Sequence, residues 1–368
     1  MTSVARADSR ELNARLAGAV FTPADDGWDA ARTAWNVAID QRPAAVAYPV
    51  DEDDVAGVLA YARDNGLRVA PQGTGHNAGP LGSLDKTILL RTAAMRGVEV
   101  DPQRRIARVR AGDLWQDAMA PMAAHGMTAL AGSSPDVGIV GYSLGGGMGW
   151  LARKHGLQCN SIRAVELVTA DGRTVRASES EEPELFWGIR GAGANFGVVT
   201  AFEFDLHPFG PLLHRGVRIY PASEVHAAWS MFRSFADVAP DELGLIFSIA
   251  RAEPAADYPA SLAGGPIVVV SYNHSGDAAD VERDVAPLKA GPGPASRTDV
   301  SRPYLEAQTA NDLAMGWGHR SYITGGYADD FRPESLDALV EHVARGPEES
   351  AFAMTVQGGA IGRVPDDA

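Results

Sequence analysis

His76 is the residue whose type and setting most directly suggest chemistry in this chain. It stands in Gln72-Gly73-Thr74-Gly75-His76-Asn77-Ala78-Gly79, a turn that follows a strand-like run over 67–70. Glycine admits positive φ and lets backbone N–H groups approach an anion with no Cβ in the way. A second glycine-rich stretch comes later: Val137-Gly138-Ile139-Val140-Gly141-Tyr142-Ser143-Leu144-Gly145-Gly146-Gly147-Met148-Gly149. Two such loops, one holding a lone imidazole, fit a cofactor that combines a diphosphate with a reactive ring. The imidazole itself has two readings, a cap on its own turn or a neutral nucleophile held beside that ring. Its place among Gly73, Gly75 and Gly79 favours the nucleophile.

Charge indicates how such a cofactor would be held. The 368 residues carry a formal net charge of −15, which argues against nucleic acid and anionic membrane surfaces as partners. Neither glycine loop contains a lysine or arginine. An anion would therefore meet backbone N–H groups and helix N-termini. Cys159 is the sole cysteine, so an internal disulfide and a cysteine-based zinc site are both excluded. Residues 1–16 lack the apolar run of a signal peptide, and no stretch reaches membrane-spanning length, so a cytoplasmic location is expected.

Other candidates carry less. The loop over 190–197 with its glycines could end a helix, or could approach adenine or pyrophosphate with Val198 and Val199 as a backbone clamp. Gly145, Met148 and Gly149, with Glu166 downstream, imitate a nicotinamide-dinucleotide fingerprint. That alternative is disfavoured: the glycines do not close a clean first strand, and Glu166 sits mid-strand between Val165 and Leu167. Tyr220, Tyr322 and Gln357 are the candidates for a catalytic pocket in the last third of the chain.

The elements that must position these residues can be read from periodicity. Residues 1–40 form a helical lead-in with Trp28 and Trp35. A short apolar strand over 46–50 precedes the acidic run Asp51-Glu52-Asp53-Asp54, which opens a helix carrying Val55, Val58, Leu59 and Ala62 at helical spacing. The next strand ends at the His76 turn, where α/β folds place ligands. Strands are expected over 87–91, 97–101, 106–110 and 164–169, with Asp171-Gly172 turning into 174–176, and over 198–206. A helix is expected over 113–125. Beyond residue 210, strands over 217–220, 244–251, 267–273, 320–324 and 352–357 alternate with helices, the pattern of an antiparallel α+β layer.

Three blocks in order resemble one family: Gln72-Gly73-Thr74-Gly75-His76-Asn77; the stretch from Gly132-Ser133-Ser134-Pro135-Asp136-Val137-Gly138 to Gly156-Leu157; and Glu184-Leu185-Phe186-Trp187-Gly188-Ile189-Arg190-Gly191 through Gly197-Val198-Val199-Thr200. They are similar to the FAD-linked, berberine-bridge-enzyme-like oxidoreductases of the vanillyl-alcohol-oxidase/PCMH superfamily. The resemblance implies an α+β fold: a PCMH-type FAD-binding domain of two α/β subdomains over 41–210, then an antiparallel-sheet substrate domain over 211–368. It implies FAD bound covalently through His76, with Gln72, Gly73, Thr74, Gly75 and Asn77 around the pyrophosphate. Ser133, Ser134, Val137, Gly138, Gly141, Tyr142, Gly147 and Gly149 would lie along the cofactor, and Gly197, Val198 and Val199 would meet its adenine end.

The implied activity is hydride transfer to flavin from an alcohol, sugar or secondary-metabolite substrate, with an electron acceptor such as O2. Ser134 stands where many relatives have a second linking cysteine, so a single linkage is expected; Tyr142 and Asn160 also depart from common family residues. Relatives continue past the point where this sequence ends, with a segment that commonly supplies the catalytic base. A flavin-binding remnant without turnover is the alternative that follows.

Overall fold

The computed structural model describes residues 9–363 apart from 194, 253–258, 313–316, 329–330 and 348–349. The His76 turn grows out of a four-stranded sheet in the order Ala19–Phe21, Ala45–Tyr48, Thr87–Arg91, Arg68–Gln72. Its last three strands run parallel, so their carboxyl ends open on one edge. The crossover is the helix Glu52–Asp64, whose N-cap Asp51 accepts a hydrogen bond from the Asp54 N–H. Val55, Val58 and Tyr61 on its inner face are fully buried, each contributing about 1.5–3 kcal/mol of transfer free energy. Asp54, expected only to complement the helix dipole, also accepts from the N–H groups of Ala17, Gly18 and Val50. That carboxylate pins the lead-in, which is two short helices and a strand rather than one helical arm.

A five-stranded antiparallel sheet follows, in the order Val98–Asp101, Ile106–Arg110, Val198–Asp205, Ile162–Val168, Thr174–Ser178. It shares a core with the first sheet, including Trp115, Phe202 and Phe204. The expected helix over 113–125 is shorter, Trp115–Ala123. The later residues build a second five-stranded antiparallel sheet: Ser296–Arg302, Leu213–Pro221, Pro266–His274, Leu243–Arg251, Ala351–Thr355. Helices Val225–Ala236 and Pro333–Arg345 cover it, with Phe232, Phe235, Phe247 and Leu336 in a separate core.

Two differences from expectation have plain causes. The strand expected over 320–324 does not form; those residues run as mostly exposed coil whose Ser321 backbone groups bond the Asn36 side chain instead of a ladder, and Gly325 and Gly326 follow. The edge strand Ser296–Arg302 is formed from a polar stretch with no apolar alternation, which is why periodicity passes over it. The helix Tyr304–Asp312 crosses between the layers: Tyr304 and Ala307 belong to the first core. Among the described residues, no helix is long and apolar enough to cross a membrane.

Candidate functional site

The two glycine loops face each other. A Cβ placed on Gly138 would lie 3.9 Å from the Thr74 nitrogen and 4.0 Å from Thr74 Cγ2. Gly75 takes φ +87°, and a Cβ there would meet Ala34 and the Gln72 amide at 2.8 Å, so only glycine makes this turn. Gln72 is buried in a reciprocal amide pair with Gln41, at 2.8 and 3.0 Å. The Thr74 carbonyl accepts from the Trp35 N–H at 2.9 Å. The backbone N–H groups of Thr74, Gly75, His76 and Asn77, by contrast, donate to no group of the described residues. Such a row of unclaimed amides beside Gly138 is a cradle for an anion.

His76 projects from this cradle with a quarter of its side chain exposed. Its ring stacks on Trp35 with centroids 4.0 Å apart and planes 17° from parallel. Nδ1 lies 2.7 Å from Thr74 Oγ1. Nε2 lies 3.6 Å from Asp136 Oδ1, longer than a hydrogen bond, and both atoms are buried with no other partner. The Trp35 indole N–H donates to the second oxygen, Asp136 Oδ2, at 2.8 Å. Burial works to raise the Asp136 pKa, but His76 and the Trp35 N–H outweigh it and hold the carboxyl below its ordinary value. Neither Trp35 nor Asp136 was expected at the site. Asp136 reads as a turn residue after Pro135, and only the need of a buried indole N–H for an acceptor could have drawn attention to the pair.

The second glycine stretch divides in two. A Cβ on Gly141 would meet nothing within 4 Å, so this helical residue faces open space. Gly147 and Gly149 are needed for packing: a Cβ would strike the Tyr142 ring at 2.6 Å or the Ala131 carbonyl oxygen at 1.9 Å. Tyr142 packs inward on Trp115, and its hydroxyl donates to the Leu130 carbonyl at 2.9 Å. Burial pushes its phenol well above the ordinary value. Ser133 is exposed, Ser134 and Val137 half-buried, and the Val137 carbonyl accepts from the Trp115 N–H.

Gly197 admits the Val168 carbonyl where a Cβ would come within 2.5 Å. Val198 and Val199 bury their side chains in the antiparallel sheet opposite Val168 and Leu167, leaving backbone as all they could offer a ligand. Part of the preceding loop, Ala194, lies outside the described residues. The Gly193 N–H donates to the Leu144 carbonyl, which ties that loop to the second glycine stretch.

The three pocket candidates are not brought together. Tyr220 is fully buried in the second core, with its hydroxyl 3.9 Å from the Met231 sulfur, and no substrate can reach it. Gln357 is exposed, and its carbonyl accepts from Arg153 Nη1 at 2.9 Å. Tyr322 is 93% exposed, one residue beyond Ser321, whose N–H and carbonyl both bond the Asn36 side chain. Glu166, the acid of the nicotinamide alternative, is held by Arg108 at 2.9 and 2.7 Å, and Gly145 follows a helix rather than a strand. That alternative fails on both counts.

Residues 43–178 match a family model described as an FAD binding domain. The chain is 33% identical over 304 residues to the (R)-6-hydroxynicotine oxidase of Paenarthrobacter nicotinovorans, a match covering 80% of this chain and 63% of that protein. The crystal structure of 6-hydroxy-D-nicotine oxidase from Arthrobacter nicotinovorans superposes with a TM-score of 0.74 at 32% identity, covering 83% of this chain and 66% of that one. The fold is also that of a Physcomitrella patens berberine-bridge-enzyme-like protein, with a TM-score of 0.83 at 22% identity over 98% of this chain and 80% of that one. The chain thus spans less than two thirds of the first relative's length.

Proposed function

We propose that the chain, whose FAD binding domain and fold are similar to those of FAD-linked oxidoreductases of the vanillyl-alcohol-oxidase/PCMH superfamily, oxidises a small molecule at a carbon bearing an O–H or N–H group. Alcohols, sugars and secondary metabolites are the substrate classes put forward, with O2 as the acceptor. The observation that carries this reading is the row of open amides from Thr74 to Asn77, with Thr74 set beside Gly138 and the His76 side chain rising from the same turn.

These residues fit FAD. The amides of Thr74, Gly75, His76 and Asn77 would bind its diphosphate without any cationic side chain, as the acidic composition requires. Gly141 leaves open space on the helix that follows Gly138. His76, held flat by Trp35, would tether the ring. The chemistry FAD supplies is acceptance of a hydride from the substrate carbon and delivery of its electrons to the acceptor. The protein's share is to bind, orient and shield. Tyr322, whose phenol is open beside the segment that carries Trp35, is proposed to face the substrate; Tyr220 and Gln357 have no part in this proposal.

Acid precipitation of the purified chain tests the reading. A yellow pellet is expected for wild type, and a colourless pellet under yellow supernatant for His76→Ala. Protein without any flavin absorbance would overturn the assignment, and a His76→Ala pellet that stays yellow would overturn the tether.

A further inference from the structure

We propose that Asp136 is the positioning residue of His76: its carboxylate fixes the imidazole as the Nε2–H tautomer and leaves the lone pair on Nδ1. His76 as the tether is taken from the reading above, but the tautomer can be measured without it.

The argument starts from atoms that have nowhere else to turn. Nε2 of His76 and Oδ1 of Asp136 are 3.6 Å apart, and neither has accessible surface or another partner. Oδ2 is already taken by the Trp35 N–H at 2.8 Å, so Oδ1 is the oxygen left for the imidazole. A proton on Nε2 sets a donor against the carboxylate oxygen across that gap. A proton on Nδ1 would instead aim the Nε2 lone pair at a carboxylate and leave two buried acceptors facing each other. The imidazole lies flat on the indole, with centroids 4.0 Å apart, and its contact with Thr74 Oγ1 keeps Nδ1 on that side. At the other nitrogen, the Thr74 hydroxyl, 2.7 Å away, can donate to the Nδ1 lone pair and hold it in register. The tautomer of a histidine is set by what its second nitrogen faces, and here that is a carboxylate fixed by an indole.

Replacing the carboxylate by an amide should invert the arrangement. In Asp136→Asn the Asn oxygen stays with the Trp35 N–H, and its NH2 turns to His76. An NH2 can only donate, so Nε2 must accept and the proton moves to Nδ1. Long-range 15N–1H spectra of the histidine-labelled chain, produced without riboflavin, read this directly; His76→Ala assigns the signal. Nε2–H is expected for wild type and Nδ1–H for Asp136→Asn, with flavin incorporation slowed about tenfold or more in the variant.

Trp35→Phe gives a second measurement should Asp136→Asn fold poorly. It keeps the carboxylate, so Nε2–H must persist. The same tautomer in wild type and Asp136→Asn, or a flip in Trp35→Phe, would overturn the proposal. A colourless wild-type pellet combined with the expected tautomers would remove the tether and leave the positioning role standing. A yellow pellet with the wrong tautomer would do the reverse.

Discussion

The Tyr304 hydroxyl donates to the Ala131 carbonyl at 3.0 Å, tying the helix that follows the edge strand Ser296–Arg302 to the first core. One turn on, Gln308 Nε2 donates to the Gly132 carbonyl at 2.6 Å. Both side chains are buried, and both act on the backbone that leads directly into Ser133–Gly138, one wall of the proposed cradle. The helix Tyr304–Asp312 is therefore a brace through which the later residues fix the second glycine loop.

Tyr304→Phe removes only the hydroxyl and leaves the Ala131 carbonyl buried without this donor. A loss of about 1–3 kcal/mol is expected, read as a lower denaturant midpoint with unchanged slope. Because that carbonyl also abuts Gly149, weaker flavin retention should accompany the loss.

Gly149→Ala and Gly141→Ala separate packing from ligand space. The first puts a methyl 1.9 Å from the Ala131 oxygen, and failure to fold or a loss above about 3 kcal/mol is expected. The second adds a methyl where nothing lies within 4 Å, on a helix, so stability should hold or rise by about 0.5–1 kcal/mol. If Gly141 borders the cofactor, this stable variant will bind flavin more weakly; unchanged binding would place the cofactor elsewhere.

These two glycines also show what the sequence could and could not reveal. Positive-φ turns and close approaches are written as glycine either way, so Gly147 and Gly149 look like Gly141 until their neighbours are known. His76 was legible because a strand, a turn and an imidazole are contiguous. Asp136 and Trp35 were not: they lie 101 residues apart, and nothing local marks their bond. The hairpin through Asp171-Gly172 was legible from its turn dipeptide and flanking apolar residues. The strand Ser296–Arg302 was not, since it is held by ladder bonds to Leu213–Pro221 rather than by an apolar face.

Stability should depend on pH through His155 and His207, which stack with centroids 4.2 Å apart. Burial, His207 and Lys154 push the His155 pKa down to about 4 from an ordinary 6.5, and burial lowers His207 as well. The unfolded chain thus binds protons more readily than the folded one. The contribution is fully present above about pH 6.5 and drains away as pH falls toward about 4. His155→Phe keeps a ring against His207 and should flatten this part of the profile in thermal melts; an unchanged slope would refute the assignment.

Arg153 donates to the carbonyls of Gln357 and Ala239, each at 2.9 Å, tying a helix of the first layer to the second. Arg153→Met should free the stretch after Thr355. Faster limited proteolysis there, at near-normal cofactor content, is the expected result.

The segment 35–37 is laced to 318–321: the Val37 N–H meets the His319 carbonyl, the Gly318 N–H meets the Trp35 carbonyl, and Asn36 clasps Ser321 from both sides. Asn36 and Ser321 are 285 residues apart. During synthesis the indole beneath His76 must wait, unsecured on that side, until residues 318–321 have left the ribosome. The cradle therefore cannot take its final form before residue 321 has been made.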